Sequence, residues 1–396
     1  MWTHEPMSHQ TTMNGLTKLL AAWNRAQQEG APAILATVVR VNGSHYRRPG
    51  ARMLAVLPDR PVGSVSGGCL EADLLDRATT VIGSGAAALV HYDTTSDTDL
   101  LFGSGLGCGG EVDILVESMS DRSAVRFLET LNTCITGRRC LSAATVLTVE
   151  GDIKVRVGGR LLVVEDSAEI IGIEDESILS DLRRAVAEVS VTARSKVYRV
   201  STPCGWGDVY VEFLTPPVAL AVFGSGEDAR AVCEFASTLG WQVSVFSHRS
   251  TLLTRQRFPR AAALHACRPE DVGVDGRNGA FDAAVVMTHQ YEYDRTLVTT
   301  LMGTGIPYIG LLGAAGRAER MLVDLERQGT ILDERSLDRL YAPVGLDLQA
   351  EGPEEIALAT VAEIQMVLHG GSPELMRRRL GRKHGVESTA AEYSGS

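Results

Sequence analysis

The chain has 396 residues and 44% hydrophobic content, enough apolar surface for two or three domains with cores of their own. Its 38 basic and 49 acidic residues leave a formal charge of −11, which opposes general binding to nucleic acid or to an anionic membrane, so an anionic ligand needs a local site. Seven cysteines, an odd number without regular spacing, argue against a secreted disulfide framework and suit a reducing cytoplasm; with no basic-then-apolar leader and no run near 18 apolar residues, neither export nor an integral membrane segment is expected.

Leu16, Leu19, Leu20 and Trp23 recur at helical spacing and predict an amphipathic helix over Met13–Glu29, followed by an apolar strand over Ala33–Val41. Asn42-Gly-Ser-His-Tyr-Arg-Arg-Pro-Gly50 is a turn-rich loop with a histidine and two arginines, a composition that serves a turn or chemistry. Arg52–Leu57 reads as a strand, Pro58–Pro61 as a turn, and Val62–Val65 as a short strand delivering the cluster Gly63-Ser-Val-Ser-Gly-Gly-Cys-Leu-Glu71. Leu70, Leu74, Leu75 and Ala78 mark a helix to Ile82, which places Cys69 at its opening. After a strand at Ala88–Tyr92, an acidic, hydroxyl-rich loop leads to a second cluster, Phe102-Gly-Ser-Gly-Leu-Gly-Cys-Gly-Gly-Glu111, and Glu111–Glu117 alternates as a strand.

Each cluster sets a cysteine, Cys69 or Cys108, among residues with almost no side chain, so sequence neighbours cannot wrap the sulfur. The glycines beside them, Gly67, Gly68, Gly107 and Gly109, let backbone N–H groups approach a ligand. A thiol at a helix N-terminus also ionises more readily. The competing reading is burial as a small hydrophobe, the commonest fate of a free cysteine. Matching glycine settings at both positions favour the functional one.

A helix is expected over Asp121–Thr136, a hairpin from Cys140–Thr148 and Lys154–Val164 turned at Glu150–Asp152, a helix over Glu176–Val189, and strands at Lys196–Val200 and Asp208–Leu214. Hairpins among helices point to a mixed α+β N-terminal domain over residues 1–214. Cys134, Cys140, Cys233 and Cys267 lie in periodic or plain contexts and Cys204 in a turn, so packing is expected of all five.

Thr215-Pro-Pro217 marks a boundary, since consecutive prolines continue neither ladder nor helix. Residues 215–370 then alternate strand and helix as a Rossmann-like, doubly wound parallel sheet domain. Val218–Phe223 runs into Gly224-Ser-Gly226, a helix over Glu227–Leu239 and a strand at Trp241–Phe246, a βαβ unit whose G-x-G-x-x-A turn closes at Ala229. A dinucleotide suits this turn less well than the fold does: Ser247-His-Arg249 stands where an acidic residue holds ribose hydroxyls, and Glu227 and Asp228 bring negative charge where a phosphate sits. Packing and phosphate binding are equal readings of Gly224 and Gly226. Phe281–Thr288 is a third strand ending in His289, beyond the carboxyl edge where ligands gather. Tyr308–Leu312 leads through Gly313 to a helix with Arg317 at its start, a better anion site than the first turn. Leu340–Asp347 adds a strand and a glycine turn, Pro353 begins a helix to His369, and residues 371–396 read as a polar, basic, disordered tail.

Arg48-Pro-Gly-Ala-Arg-Met53, the cluster Gly63–Glu71, Gly103-Ser-Gly-Leu-Gly-Cys-Gly-Gly110, Val286-Met-Thr-His289, Tyr308-Ile-Gly310 and Ala342-Pro-Val-Gly-Leu-Asp347, in this order, resemble the xanthine dehydrogenase accessory (XdhC/CoxI) family. The resemblance implies a cytoplasmic homodimer that binds molybdenum cofactor (molybdopterin), protects it while a cysteine desulfurase exchanges an oxo ligand for sulfur, and inserts it into a molybdenum hydroxylase of the xanthine dehydrogenase or CO dehydrogenase type. It implies an accessory chaperone rather than an enzyme. Under it Cys69 and Cys108 are candidate molybdenum contacts or sulfur carriers, molybdenum being thiophilic. Arg48, Arg52 and Arg317 are candidates for the cofactor's phosphate and pterin, with Gly67, Gly68, Gly107, Gly109, Gly224, Gly226, His289 and Gly313 lining it. The chain departs from the family at Glu227 and Asp228, where a histidine and an apolar residue are usual, and at Ser247-His248, where an acidic residue is usual. The alternatives are an NAD(P)-dependent oxidoreductase using the βαβ turn and Arg249, and a binding scaffold whose glycine loops only make turns.

Overall fold

The structure, a computed structural model, describes residues 11–43, 46–58, 61–93, 110–272, 281–327 and 333–374. Cys108 with Gly107 and Gly109, and the tail from residue 375, lie outside the described residues. The described residues divide into two compact units, one built from those between Thr11 and Ala219 with Ser237–Gln242, the other from Leu220–Ala236 and those from Val243 to Glu374. No helix among the described residues is long and apolar enough to cross a membrane.

The first unit runs β1 (Thr11–Thr12), α1 (Leu16–Glu29), β2 (Ala33–Gly43), β3 (Arg52–Val56), β4 (Val62–Gly63), α2 (Glu71–Ser84), β5 (Ala88–Asp93), β6 (Gly110–Ser118), α3 (Arg122–Gly137), β7 (Leu141–Val146), β8 (Glu150–Gly151), β9 (Val155–Val164), β10 (Ser167–Ile173), α4 (Glu176–Thr192), β11 (Lys196–Thr202) and β12 (Gly205–Thr215). A five-stranded sheet has the order β4-β3-β2-β6-β5; a seven-stranded sheet runs β1-β12-β7-β9-β10, with β8 and β11 also paired to β12. Successive side chains on a strand face opposite ways, and the packing follows that period. Ile34, Ala36, Val38, Met53 and Ala55 meet Leu74, Ala78 and Val81 of α2, while Leu35, Leu54 and Val56 turn to α1 and α3. In the other sheet Leu141, Ala143, Leu162 and Leu214 join that same α1–α3 core, and Ala144, Val146, Leu161, Val209 and Val211 meet α4. Helices α1 and α3 thus fill the space between two sheets whose outer faces carry α2 and α4.

One charged layer crosses this filling. Arg52 of β3 pairs with Glu212 of β12, and Arg160 of β9 pairs with Glu117 of β6 at 2.6 Å, all four buried. Both guanidinium carbons lie 4.9 Å from the ring centre of Phe127 in α3. Each sheet supplies one arginine and one carboxylate, so the two pairs run in opposite senses.

The second unit comprises β13 (Ala219–Phe223), α5 (Glu227–Thr238), β14 (Gln242–Ser247), β15 (Ala263–Ala266), β16 (Ala283–Val286), α6 (Tyr291–Met302), β17 (Tyr308–Leu311), α7 (Ala315–Arg327), α8 (Glu334–Leu337), β18 (Leu340–Tyr341) and α9 (Pro353–Leu368). Its sheet has the order β15-β14-β13-β16-β17-β18, with β13–β16, β14–β15, β16–β17 and β17–β18 all parallel. The order reverses between β13 and β16, and sheets of this kind open a ligand crevice at the carboxyl edge of that reversal. The mixed N-terminal fold and the doubly wound C-terminal sheet are as the sequence predicts.

Besides the short β1 and α8, elements such as β15, β10 and α6 escape the sequence reading. β15 is four residues long, too short to show a period; β10 is an edge strand with exposed Ser167, Ala168 and Ile170; and α6 opens on Tyr-Glu-Tyr-Asp, with its apolar residues Leu297, Val298, Leu301 and Met302 confined to the second half. Two of the quoted motifs serve packing. Tyr308, fully buried and stacked on Tyr341 at 4.4 Å, donates its hydroxyl to Glu363, which also accepts the Gly345 N–H at 2.9 Å.

Candidate functional site

The loop between β4 and α2 is organised by one carboxylate. Glu71 accepts the Ser64 hydroxyl at 2.8 Å, the Ser66 N–H at 3.1 Å and the Val65 N–H at 3.3 Å on one oxygen, and the Ser66 hydroxyl on the other. The Ser66 oxygen in turn accepts the N–H groups of Gly68 at 3.2 Å and Leu70 at 3.1 Å. Burial pushes the Glu71 carboxyl up, but the hydroxyls of Ser66 and Ser64 and the Ser66 N–H outweigh it and hold the carboxyl at about 2. Cys69, half-buried, sits inside this bracket. It precedes α2, whose first residue is Glu71, rather than opening the helix as the periodicity predicts.

Beside the loop stands an exposed aromatic ring. Tyr46 is 71% exposed, and a Cβ on Gly67 would lie 3.6 Å from its ring. Arg47 donates Nε–H to the Ser66 carbonyl at 3.1 Å, and Arg48 follows on the exposed side of the chain. The Cys69 loop thus has a planar ring and the Arg47 guanidinium against it, and a soft thiol, a ring and a guanidinium are groups of the kind that suit a thiophilic metal borne on a planar, anionic heterocycle. Among the described residues, no group of three or more His, Cys, Asp or Glu side chains is placed to hold a metal ion.

Two predicted ligands are engaged elsewhere. Arg52 is buried in the sheet-to-sheet pair with Glu212, where no cofactor phosphate can reach it. Arg317 is 2.6 Å from the fully buried Asp294 and donates to the Leu312 carbonyl at 3.1 Å. Asp294 also accepts the Thr288 hydroxyl at 2.6 Å and its N–H at 3.2 Å, so Arg317 secures the turn after β16 instead of presenting an anion site. Cys134 and Cys233 are buried as expected, and Cys267 is half-buried with its thiol pushed up by burial. Cys140 and Cys204 are exposed, because one follows a helix end and the other occupies a hairpin turn; packing does not explain them.

At the switch point of the parallel sheet, Gly224 (φ +152) has no room for a side chain, since a Cβ there would fall 2.5 Å from the Met287 carbonyl oxygen. The turn therefore packs backbone on backbone against the end of β16. Glu227 accepts from Arg257 at 2.6 Å and Arg230 at 2.7 Å, and Asp228 meets His289 Nε2 at 3.0 Å. A Cβ on Gly226 would come within 4.0 Å of that same nitrogen. Near the end of β14 the cavity lined by Phe223, Phe246, His248, Cys267 and Thr288 holds only about 10 Å³, because Phe223, Phe246 and His265 stack at 4.9 and 4.5 Å. The fold implies a dinucleotide, yet these residues do not fit one: carboxylates stand where the pyrophosphate would lie, and aromatic rings fill the space beside β14.

Sequence reasoning missed Tyr46, Ser66 and Glu71 as site-forming residues. Only Glu71 left a signal, a carboxylate in the first turn of a helix behind a serine-rich stretch.

Fold and loop together define a two-unit α/β protein in which an antiparallel unit carries a partly accessible thiol on a braced loop and a Rossmann unit is closed by its own ion pairs. The chain belongs to the XdhC and CoxI family: residues 26–93 match that family, and residues 220–364 match the XdhC Rossmann domain. It is 31% identical over 352 residues to a probable xanthine dehydrogenase subunit of Bacillus subtilis, across 89% of this chain and 97% of that protein. It is 22% identical over 343 residues to the molybdenum cofactor insertion chaperone PaoD of Escherichia coli K12, across 86% and 85%. The crystal structure of a xanthine dehydrogenase from Bacillus halodurans matches it with a TM-score of 0.72 at 26% identity, over 92% of this chain and 97% of that one.

Proposed function

We propose that this protein is a maturation factor that carries molybdenum cofactor on the Cys69 loop and inserts it into a molybdenum hydroxylase. The half-buried Cys69 thiol on its braced loop carries the reading, together with a relative named as a molybdenum cofactor insertion chaperone. The Cys69 sulfur is a soft ligand for molybdenum, with Cys108 as a second sulfur. The Tyr46 ring offers a face to the pterin, and Arg47 and Arg48 offer guanidinium groups to its phosphate. The chain's part is to bind and orient the cofactor and keep it from water while a cysteine desulfurase supplies sulfur; it works as a cytoplasmic homodimer and a carrier rather than a catalyst.

The test is composition. Protein purified anaerobically from cells that make the cofactor is expected to carry molybdenum and a pterin that oxidises to a fluorescent product, and Cys69→Ala to lose both. Wild-type protein carrying neither removes the proposal.

A further inference from the structure

We infer that Glu71 is a positioning residue for Cys69, fixing through Ser66 the backbone on both sides of the thiol. The relay is legible atom by atom. One Glu71 oxygen gathers the Ser64 hydroxyl and the Val65 and Ser66 N–H groups, which sets the chain entering the loop. The other accepts the Ser66 hydroxyl, and that hydroxyl's oxygen takes the N–H groups of Gly68 and Leu70, the residues flanking Cys69. Ser66 is fully buried, so water cannot replace either contact without opening the loop. Arg47 secures the Ser66 carbonyl from the other side. Nothing else in the first turn of α2 does this: Asp73, the second acid there, bonds Arg77 at 2.7 Å and Tyr92 at 2.5 Å, away from the loop.

The chemistry demands a carboxylate. A Ser66 hydroxyl that already accepts from two N–H groups must donate its own proton, and a carboxylate oxygen accepts it. In Glu71→Gln, if the amide oxygen keeps the three donors from 64–66, the NH₂ group faces the Ser66 hydroxyl and the link to Gly68 and Leu70 breaks. Only the consequence for cofactor loading rests on the function proposed above; the positioning of the thiol stands apart from it.

The experiment compares wild-type full-length protein with Glu71→Gln, Ser66→Ala and Asp73→Asn. Each is treated with iodoacetamide below its melting temperature, and the alkylation rate of Cys69 is divided by that of the exposed Cys204 in the same sample. Glu71→Gln and Ser66→Ala are expected to change the ratio by about fivefold, the equivalent of one lost net hydrogen bond, while Asp73→Asn leaves it unchanged despite losing the same charge from the same turn. Molybdenum and pterin content should fall with the first two variants only. An unchanged ratio in Glu71→Gln and Ser66→Ala, or an equal change in Asp73→Asn, overturns the inference. If Glu71→Gln does not fold, Ser66→Ala against Asp73→Asn decides. Wild-type protein without cofactor, with the ratio still shifting as stated, refutes the carrier function and upholds the positioning.

Discussion

His289 Nε2 lies 3.0 Å from Asp228 Oδ2, tying the turn after β16 to the first turn of α5 across the switch point. A pyrophosphate there would meet the Asp228 carboxylate and its neighbour Glu227, whose partners His289, Arg230 and Arg257 are already engaged with them, so among the described residues the turn offers an anion no free positive partner and two like charges. NADH and NADPH are therefore expected to give no heat in calorimetric titration up to millimolar concentration. A saturating isotherm would contradict this.

The same pair holds His289 at φ +62, in the left-handed region. That conformation costs a residue with a Cβ about 1 kcal/mol. Both His289→Ala and His289→Gly lose the contact with Asp228, but only glycine escapes the strain. His289→Gly is expected to melt higher than His289→Ala by a margin worth about 1 kcal/mol, measurable by scanning calorimetry; equal melting would mean the strain is relieved elsewhere.

The crossed pairs around Phe127 make a stability prediction. Arg160→Met leaves Glu117 buried without its cation and is expected to destabilise the protein by about 3–5 kcal/mol. Adding Glu117→Leu removes the stranded charge and should recover most of that loss. Thermal unfolding of the single variants and the double variant reads the coupling directly, and strict additivity would show that the pair does not act as one.

Glu71 gives a pH dependence with a definite sign. Its folded carboxyl is held at about 2 against an ordinary 4.5, so its stabilising contribution is present above the unfolded value and fades as pH falls through the folded one. The melting-temperature gap between wild type and Glu71→Gln should hold steady from neutral pH to about pH 5 and narrow below it. A gap as wide at pH 3 as at neutral pH would place the effect in packing rather than charge.

The local part of this molecule was readable without coordinates. Val218–Phe223 with Gly224-Ser-Gly226 announced a parallel-sheet turn, and Cys69 stood out among glycines, because apolar period and glycine content act over a few residues. The uses of the charged side chains were not readable. Arg52 looked like an anion ligand, yet its partner Glu212 is 160 residues away; Arg317 looked likewise, yet Asp294 holds it. Whether an arginine binds a ligand or braces a core depends on which carboxylate folding brings beside it and how far both leave water. The sequence by itself determined the two kinds of sheet and the loop that bears the thiol. Only the tertiary structure decided which charges were left to act, since pairing and burial arise between segments that no local pattern connects.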